Sequence, residues 1–332
     1  MGAAALHGQT YWTTDPSVDC SGIGTGNSVS VYNGSTLLGY SCAMTGTFIW
    51  LAAGGGWSTA IRVAGPATGA VGVDYLYYDT NGNPMNLDTT AGVGGALSSG
   101  NELSFALDAN QPAETDMLGA TSNAGQHYNN IAVGSVYATF LCPDSVTCSD
   151  VLPQLLYSNL PGEPWSLSAP IAWDDNGGIW TGWSAEGIDN GSSNRVSFVV
   201  YNQDTTPTAF TIQVFDKNGN LFSSGTTPVI QGFQQLSGGG LGEAETFGDL
   251  LSNYVHLPSG TFKVLFDGGG TSFSVEVLQF TGPSATTLQV AYEDASSAGA
   301  AVKARRSGLT PSVKGAQAKT HVMHVFKPFP KS

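Results

Sequence analysis

VDYLYYDTNGNPM, residues 73–85, is echoed by TIQVFDKNGNLF, residues 211–222. In both, an alternating apolar run leads to Asp, then to Asn-Gly, then to another apolar run. Alternation at period two marks a half-buried strand, and Asn-Gly supplies the positive φ angles of a tight type I′ turn. Three more matches follow in the same order. GSVYATFL (134–141) answers GTFKVLFD (260–267), VLPQLLYS (151–158) answers VEVLQFTG (275–282), and WSLSAPIAWDD (165–175) answers TTLQVAYEDA (286–295). Preserved order at offsets of roughly 120 to 140 residues predicts a duplicated domain.

The expected fold is all-β: two tandem antiparallel β-sandwiches with a flexible basic C-terminal tail ending in a β-prone segment. A chain of 332 residues is long enough to bury two cores. The expected divisions are an N-terminal extension (1–20), domain one (21–172), domain two (173–295), a basic linker (296–320) and a docking strand (321–332). Strands are predicted near Thr47, Val71, Leu103, Val136, Leu152 and Leu167, and again near Val196, Phe210, Phe262, Phe273 and Leu288. A short helix is expected around Ala244–Leu251. CPDSVTC (142–148) stands where the repeat has DGGGTS (267–272), read as two ways of closing one hairpin.

Charge divides the chain more sharply than composition. All 25 Asp and Glu precede residue 295, against only Arg62, Arg195, Lys217 and Lys263. The remaining cations, Lys303, Arg305, Arg306, Lys314, Lys319, Lys327 and Lys331, sit in a tail without a single acid, and the formal net charge is −14. An acidic body lacks the clustered Lys and Arg that phosphate contacts need, so nucleic acid is excluded as a partner. With 44 Gly, 41% hydrophobic residues and only 11% charged, the body is too apolar for disorder and too poor in helix formers for an α fold.

Cys20, Cys42, Cys142 and Cys148 show no metal or redox spacing and read as disulfides. Of three connectivities, sequence order favours Cys20–Cys42 and Cys142–Cys148, which points to an oxidising compartment. The start, MGAAALHGQTYW, lacks the cationic and apolar regions of a signal peptide, so the numbering is expected to begin near a mature terminus. No apolar run approaches the ~20 residues of a membrane-spanning helix.

The runs YYDTNGNPM and VFDKNGNLF, with late strands of the VEVLQF type, resemble the tandem immunoglobulin-like sandwiches of secreted and cell-surface bacterial proteins. The resemblance covers most of 45–295. It implies an extracellular, non-enzymatic protein used in display, adhesion or assembly, reached by bacterial-type secretion, and it brings no catalytic residue or cofactor.

Chemical motifs are few. Asp79-Thr-Asn81-Gly-Asn83 and Asp216-Lys-Asn218-Gly-Asn220 resemble the opening of a calcium loop, but Gly falls fourth rather than sixth and Thr90 and Thr227 replace the closing Glu, so they read as turns capped by Asp. Asp174 and Asp175 form a carboxylate pair beside Trp165, Trp173, Trp180 and Trp183, which together make a candidate glycan-stacking platform; the plainer reading is an acidic linker beside buried tryptophans. Ser184 misses a nucleophile elbow by one residue. Asn33-Gly-Ser and Asn190-Gly-Ser read as turns. No metal or cofactor is expected.

In the tail, HVMHVFKPFPK (321–331) has high β propensity, with Val322, Met323, Val325, Phe326 and Phe329 offering apolar groups on both faces. His321 and His324, three apart, fall on opposite faces of a strand. A strand apolar on both sides suits β-strand addition, with Pro328 and Pro330 closing its end. The expected partner is a second copy, joined head-to-tail, or another acidic surface protein; a glycan at the tryptophans is the alternative.

Overall fold

The computed structural model describes residues 10–14, 20, 26–33, 36–54, 57–90, 92–120, 132–142, 150–158, 167–173, 182–190, 194–236, 249–281, 284–288, 290–292 and 321–322. Among them every regular element is a strand apart from one 3₁₀ turn, Leu251–Asn253. The first strands are β1 (Thr10–Thr14), β2 (Gly26–Asn33), β3 (Thr36–Ala53), β4 (Ser58–Ala64), β5 (Val71–Asp79), β6 (Leu87–Thr90) and β7 (Leu97–Gly100). Next come β8 (Glu102–Leu107), β9 (Pro112–Ala120), β10 (Ala132–Cys142), β11 (Leu152–Ser158), β12 (Leu167–Pro170) and β13 (Ala172–Trp173). The second half holds β14 (Gly182–Asn190), β15 (Asn194–Asn202), β16 (Thr211–Phe215), β17 (Leu221–Thr226), β18 (Gln235–Leu236) and β19 (Asp249–Leu250). It closes with β20 (Gly260–Asp267), β21 (Phe273–Thr281), β22 (Ser284–Leu288), β23 (Val290–Tyr292) and β24 (His321–Val322).

The strands form two pairs of antiparallel sheets. In the first sandwich, β24-β1-β2-β3-β10-β5-β8, with β13 also against β3, faces β12-β11-β4-β9-β6-β7. In the second, β17-β16-β20-β14-β23 faces β18-β15-β21-β22, with β19 also against β15. Period-two alternation builds each core. Val71, Val73, Tyr75 and Tyr77 of β5 meet Ile61, Val63, Leu155 and Tyr157, while Phe198, Val200, Val275 and Val277 meet Ile212, Val214, Val264 and Phe266.

The duplication read from sequence reappears as pairing. β5-β10-β3-β13 has the order of β16-β20-β14-β23, and β12-β11-β4-β9 that of β22-β21-β15-β18. The architecture is that of a sandwich, and the strand order is its own. β10 and β11 lie in opposite sheets, as do β20 and β21. The segment Asp267–Ser272 is therefore a corner between sheets rather than the expected hairpin, braced by Gly269 N–H donating to Asp267 Oδ1 at 2.8 Å. Its counterpart between Cys142 and Cys148 lies outside the described residues.

Two other expectations change. Each Asn-Gly turn has positive φ at the glycine, 78° at Gly82 and 81° at Gly219, and not at the preceding Asn. Gly82 N–H donates to Asp79 O (3.0 Å) and Asp79 N–H to Asn83 O (2.8 Å), a three-residue loop with a glycine bulge, not a type I′ turn. The cause is the Asp carboxylate. Asp79 Oδ1 accepts from Asn81 N–H (2.9 Å) and Asn83 N–H (2.8 Å), and Asp216 holds Asn218 and Asn220 alike (2.8 and 2.9 Å), so only Gly is left to take the left-handed angle. The end of the expected helix, Asp249–Leu250, is the short strand β19 against β15, leading into the 3₁₀ turn with Leu251 buried; residues 244–248 lie outside the described residues.

One sheet is buried on both faces. While Phe198, Val200, Val275 and Val277 face the second core, their alternates Val199, Tyr201, Leu278 and Phe280 belong to the apolar cluster of the first sandwich. Each such side chain withdrawn from water contributes about 1.5–3 kcal/mol, so the two sandwiches are joined by a core rather than a strap.

Candidate functional site

Two places in the fold gather the residues that the sequence singles out: the outer edge of the eight-stranded sheet and the junction between the sandwiches.

At the edge, β1 pairs antiparallel with β2, from Thr10 opposite Asn33 to Thr14 opposite Val29. Its other side is filled by the tail: Tyr11 stands opposite Val322 and Trp12 opposite His321. Residues 10–14, expected as part of an extension, thus belong to the sheet, and the tail adds a strand to it. Of the expected docking strand, Met323, Val325, Phe326 and Phe329 lie outside the described residues, as do Lys303, Arg305, Arg306, Lys314 and Lys319. Nearby, Cys20 is bonded to Cys42 with Cα atoms 5.8 Å apart. Cys142 is also disulfide-bonded and stands directly opposite Cys42 in the ladder; Cys148 lies outside the described residues.

At the junction, the first Asp-Asn-Gly turn is clamped by the second sandwich. Gln234 Nε2 donates to Asn81 O at 2.7 Å and Gln235 N–H to Thr80 O at 3.2 Å. A Cβ on Gly82 would fall 2.8 Å from Phe233 O. Deeper in, Glu276 is only 7% exposed on the outward face of β21 and hydrogen-bonds the Tyr157 side chain of the first sandwich. Burial pushes its carboxyl up to about 8, the bond to Tyr157 opposing. Tyr157 donates its own proton to Trp50 O at 2.9 Å, and its ring packs edge-on at 5.0 Å from Trp50. Burial outweighs the bond to Tyr157 and favours the neutral carboxyl.

A second buried carboxyl was missed by motif reading. Asp74 of β5 is 2% exposed and accepts from Ser104 Oγ of β8 at 2.6 Å. Burial chiefly, with the charge of Glu102, moves it up to about 7 despite the Ser104 bond. The sequence signal is an acid in the middle of an otherwise apolar strand.

Two members of the candidate glycan platform lie on strands of different sheets. Trp173 sits on β13 opposite Gly46, whereas Trp183 sits on β14 opposite Phe266 and Tyr292. Trp165, Trp180, Asp174 and Asp175 lie outside the described residues. Ser184 is in mid-strand on β14, not on a strand-to-helix elbow. Among the described residues no group of three His, Cys, Asp or Glu is placed to hold a metal ion, and no helix is long and apolar enough to cross a membrane. No protein-family model, curated protein or solved structure matches the chain.

Proposed function

We propose that this protein is a non-enzymatic extracellular structural subunit whose C-terminal strand docks on the β1 edge of a neighbouring copy. The observation that carries the reading is the pairing of His321–Val322 with Tyr11–Trp12. That edge accepts an added strand, and main-chain hydrogen bonds give such additions their affinity. Residues 293–320 separate the strand from β23, and a chain of that length spans at most about 100 Å, enough to supply the strand in cis or in trans. Opposite charge favours the same approach: seven cations and no acid after residue 295 face a body that holds all 25 acids. Exchange of one strand between identical copies is a low-cost route to assembly, and a head-to-tail contact closes into a ring or runs on as a filament.

Light scattering after size exclusion tests this on the full chain and on a chain ending at Ala295, at low and high salt. Rings or filaments from the full chain alone support the reading. Identical behaviour of the two, at every concentration, refutes it and returns attention to glycan binding at Trp165–Trp183.

A further inference from the structure

Each sandwich carries one turn and one corner that the duplication makes equivalent. The turns are Asp79–Asn83 and Asp216–Asn220. The corners are Asp108–Pro112 and Gln231–Gln235: Gln111 N–H donates to Asp108 O (3.1 Å) as Gln234 N–H does to Gln231 O (3.2 Å), and Gln111 O accepts from Gly65 (3.0 Å) as Gln234 O does from Asn202 (2.9 Å). Asn110 and Phe233, with φ of 56° and 58°, are the two non-glycine residues of positive φ among the described residues. Corner and corner correspond residue for residue.

Inside the chain the first turn sits in the second corner, through Gln234, Gln235 and Phe233 as described above. One turn and one corner are left over. Lys217, Asn218, Gly219 and Asn220 are exposed, and a Cβ on Gly219 would meet nothing within 4 Å. Asp108, Ala109 and Asn110 are exposed as well. Two of the differences between the leftover pair and the docked pair change charge. Lys217 stands where the docked turn has Thr80, and Asp108 where the occupied corner has Gln231. The free turn has gained a cation and the free corner an anion.

We infer that the Asp216–Asn220 turn of one copy docks in the Asp108–Pro112 corner of a second copy, repeating between chains the contact that joins the two sandwiches within one. Gln111, equivalent to Gln234, keeps a side-chain amide: its Oε1 accepts from Asp108 N–H within the corner (3.1 Å), and its Nε2 is the donor for the turn carbonyl. Pro112 replaces Gln235 and has no N–H, so one of the two hydrogen bonds is lost. The apolar quartet is interrupted too: Arg62, ion-paired with Glu114, holds the place of Val199. The contact between copies is therefore weaker than the one within the chain, depends on salt, and is heterologous, so that it propagates. It is separate from the tail strand and stands or falls without it.

Sedimentation equilibrium of the full chain, up to millimolar concentration, tests it with Lys217→Glu, Asp108→Lys and the double reversal. All three changes are on exposed turns, and circular dichroism checks that each variant folds. The expected result is association weakened roughly three- to ten-fold by either single change and restored by the double one. Association equal in all four proteins, or none in the unaltered chain, overturns the inference.

Discussion

Glu276 and Tyr157 meet inside the junction of the two sandwiches, the carboxyl of one domain bonded to the hydroxyl of the other. The second core thus sends a titratable group into the first, and the cost of ionising it falls on the junction.

From this the pH dependence follows with a definite sign. Glu276 ionises near 8 when folded, against 4.5 for its ordinary value, so between these limits the native state holds a proton that the unfolded chain has lost. Its contribution to stability is complete below 4.5, falls by about 1.4 kcal/mol per pH unit as pH rises, and levels off above 8. Glu276→Gln removes that slope. Urea midpoints at pH 5 and pH 8 check it: the gap between variant and parent must change in the variant's favour as pH rises. A constant gap contradicts a neutral buried Glu276.

Gly82→Ala and Gly219→Ala compare identical turns in different surroundings. Both force a side chain into the left-handed region, at about 1–2 kcal/mol. Only Gly82 also abuts Phe233 O, at 2.8 Å from its would-be Cβ. Gly82→Ala is expected to lose at least about 1 kcal/mol more in urea denaturation. Equal losses contradict the clamp.

Leu278 is fully buried on the face of β21 turned to the first sandwich. Leu278→Ala should cost about 2–5 kcal/mol and lower the unfolding midpoint of both sandwiches together. Two separate transitions, with only the second displaced, argue against a shared core.

Non-reduced peptide mapping should recover Cys20 linked to Cys42. Since Cys142 stands directly opposite Cys42 in the ladder, a Cys42–Cys142 link is the adjacent alternative, and finding it contradicts the assignment. Replacing both Cys20 and Cys42 by Ser is expected to cost about 3 kcal/mol for a loop of this size.

The strands that alternate cleanly or carry turn chemistry were legible in the sequence: β5, β11, β12 and β21 begin at Val71, Leu152, Leu167 and Phe273, as the pattern predicts. A trace of the junction was present as well, in the apolar-rich runs VSFVVY and VEVLQF, since a strand buried on both faces loses its strict alternation. The counterpart of β15 in the first sandwich, β4, reads STAIRVA and keeps Arg62 on the exposed face. What hid the clamp is that its donors are unremarkable: two glutamines and a main-chain N–H carry no motif, and only pairing shows where they lie. Asp74 was hidden for a similar reason, because an acid within VDYLYY reads as a surface residue until β8 covers it. The turn type was misjudged because Asn-Gly alone does not record the Asp carboxylate that selects a three-residue loop.

The central claim is that the tail strand is exchanged between copies. Two single variants of the full chain, Tyr11→Cys and Val322→Cys, place one thiol each on opposite members of a paired register. Mixed, oxidised and resolved by mass, they are predicted to give a Tyr11→Cys chain linked to a Val322→Cys chain, while neither variant alone gives that product. If the mixture stays uncrosslinked while the double variant closes quantitatively within single chains, the strand serves its own body only and the assembly reading is wrong.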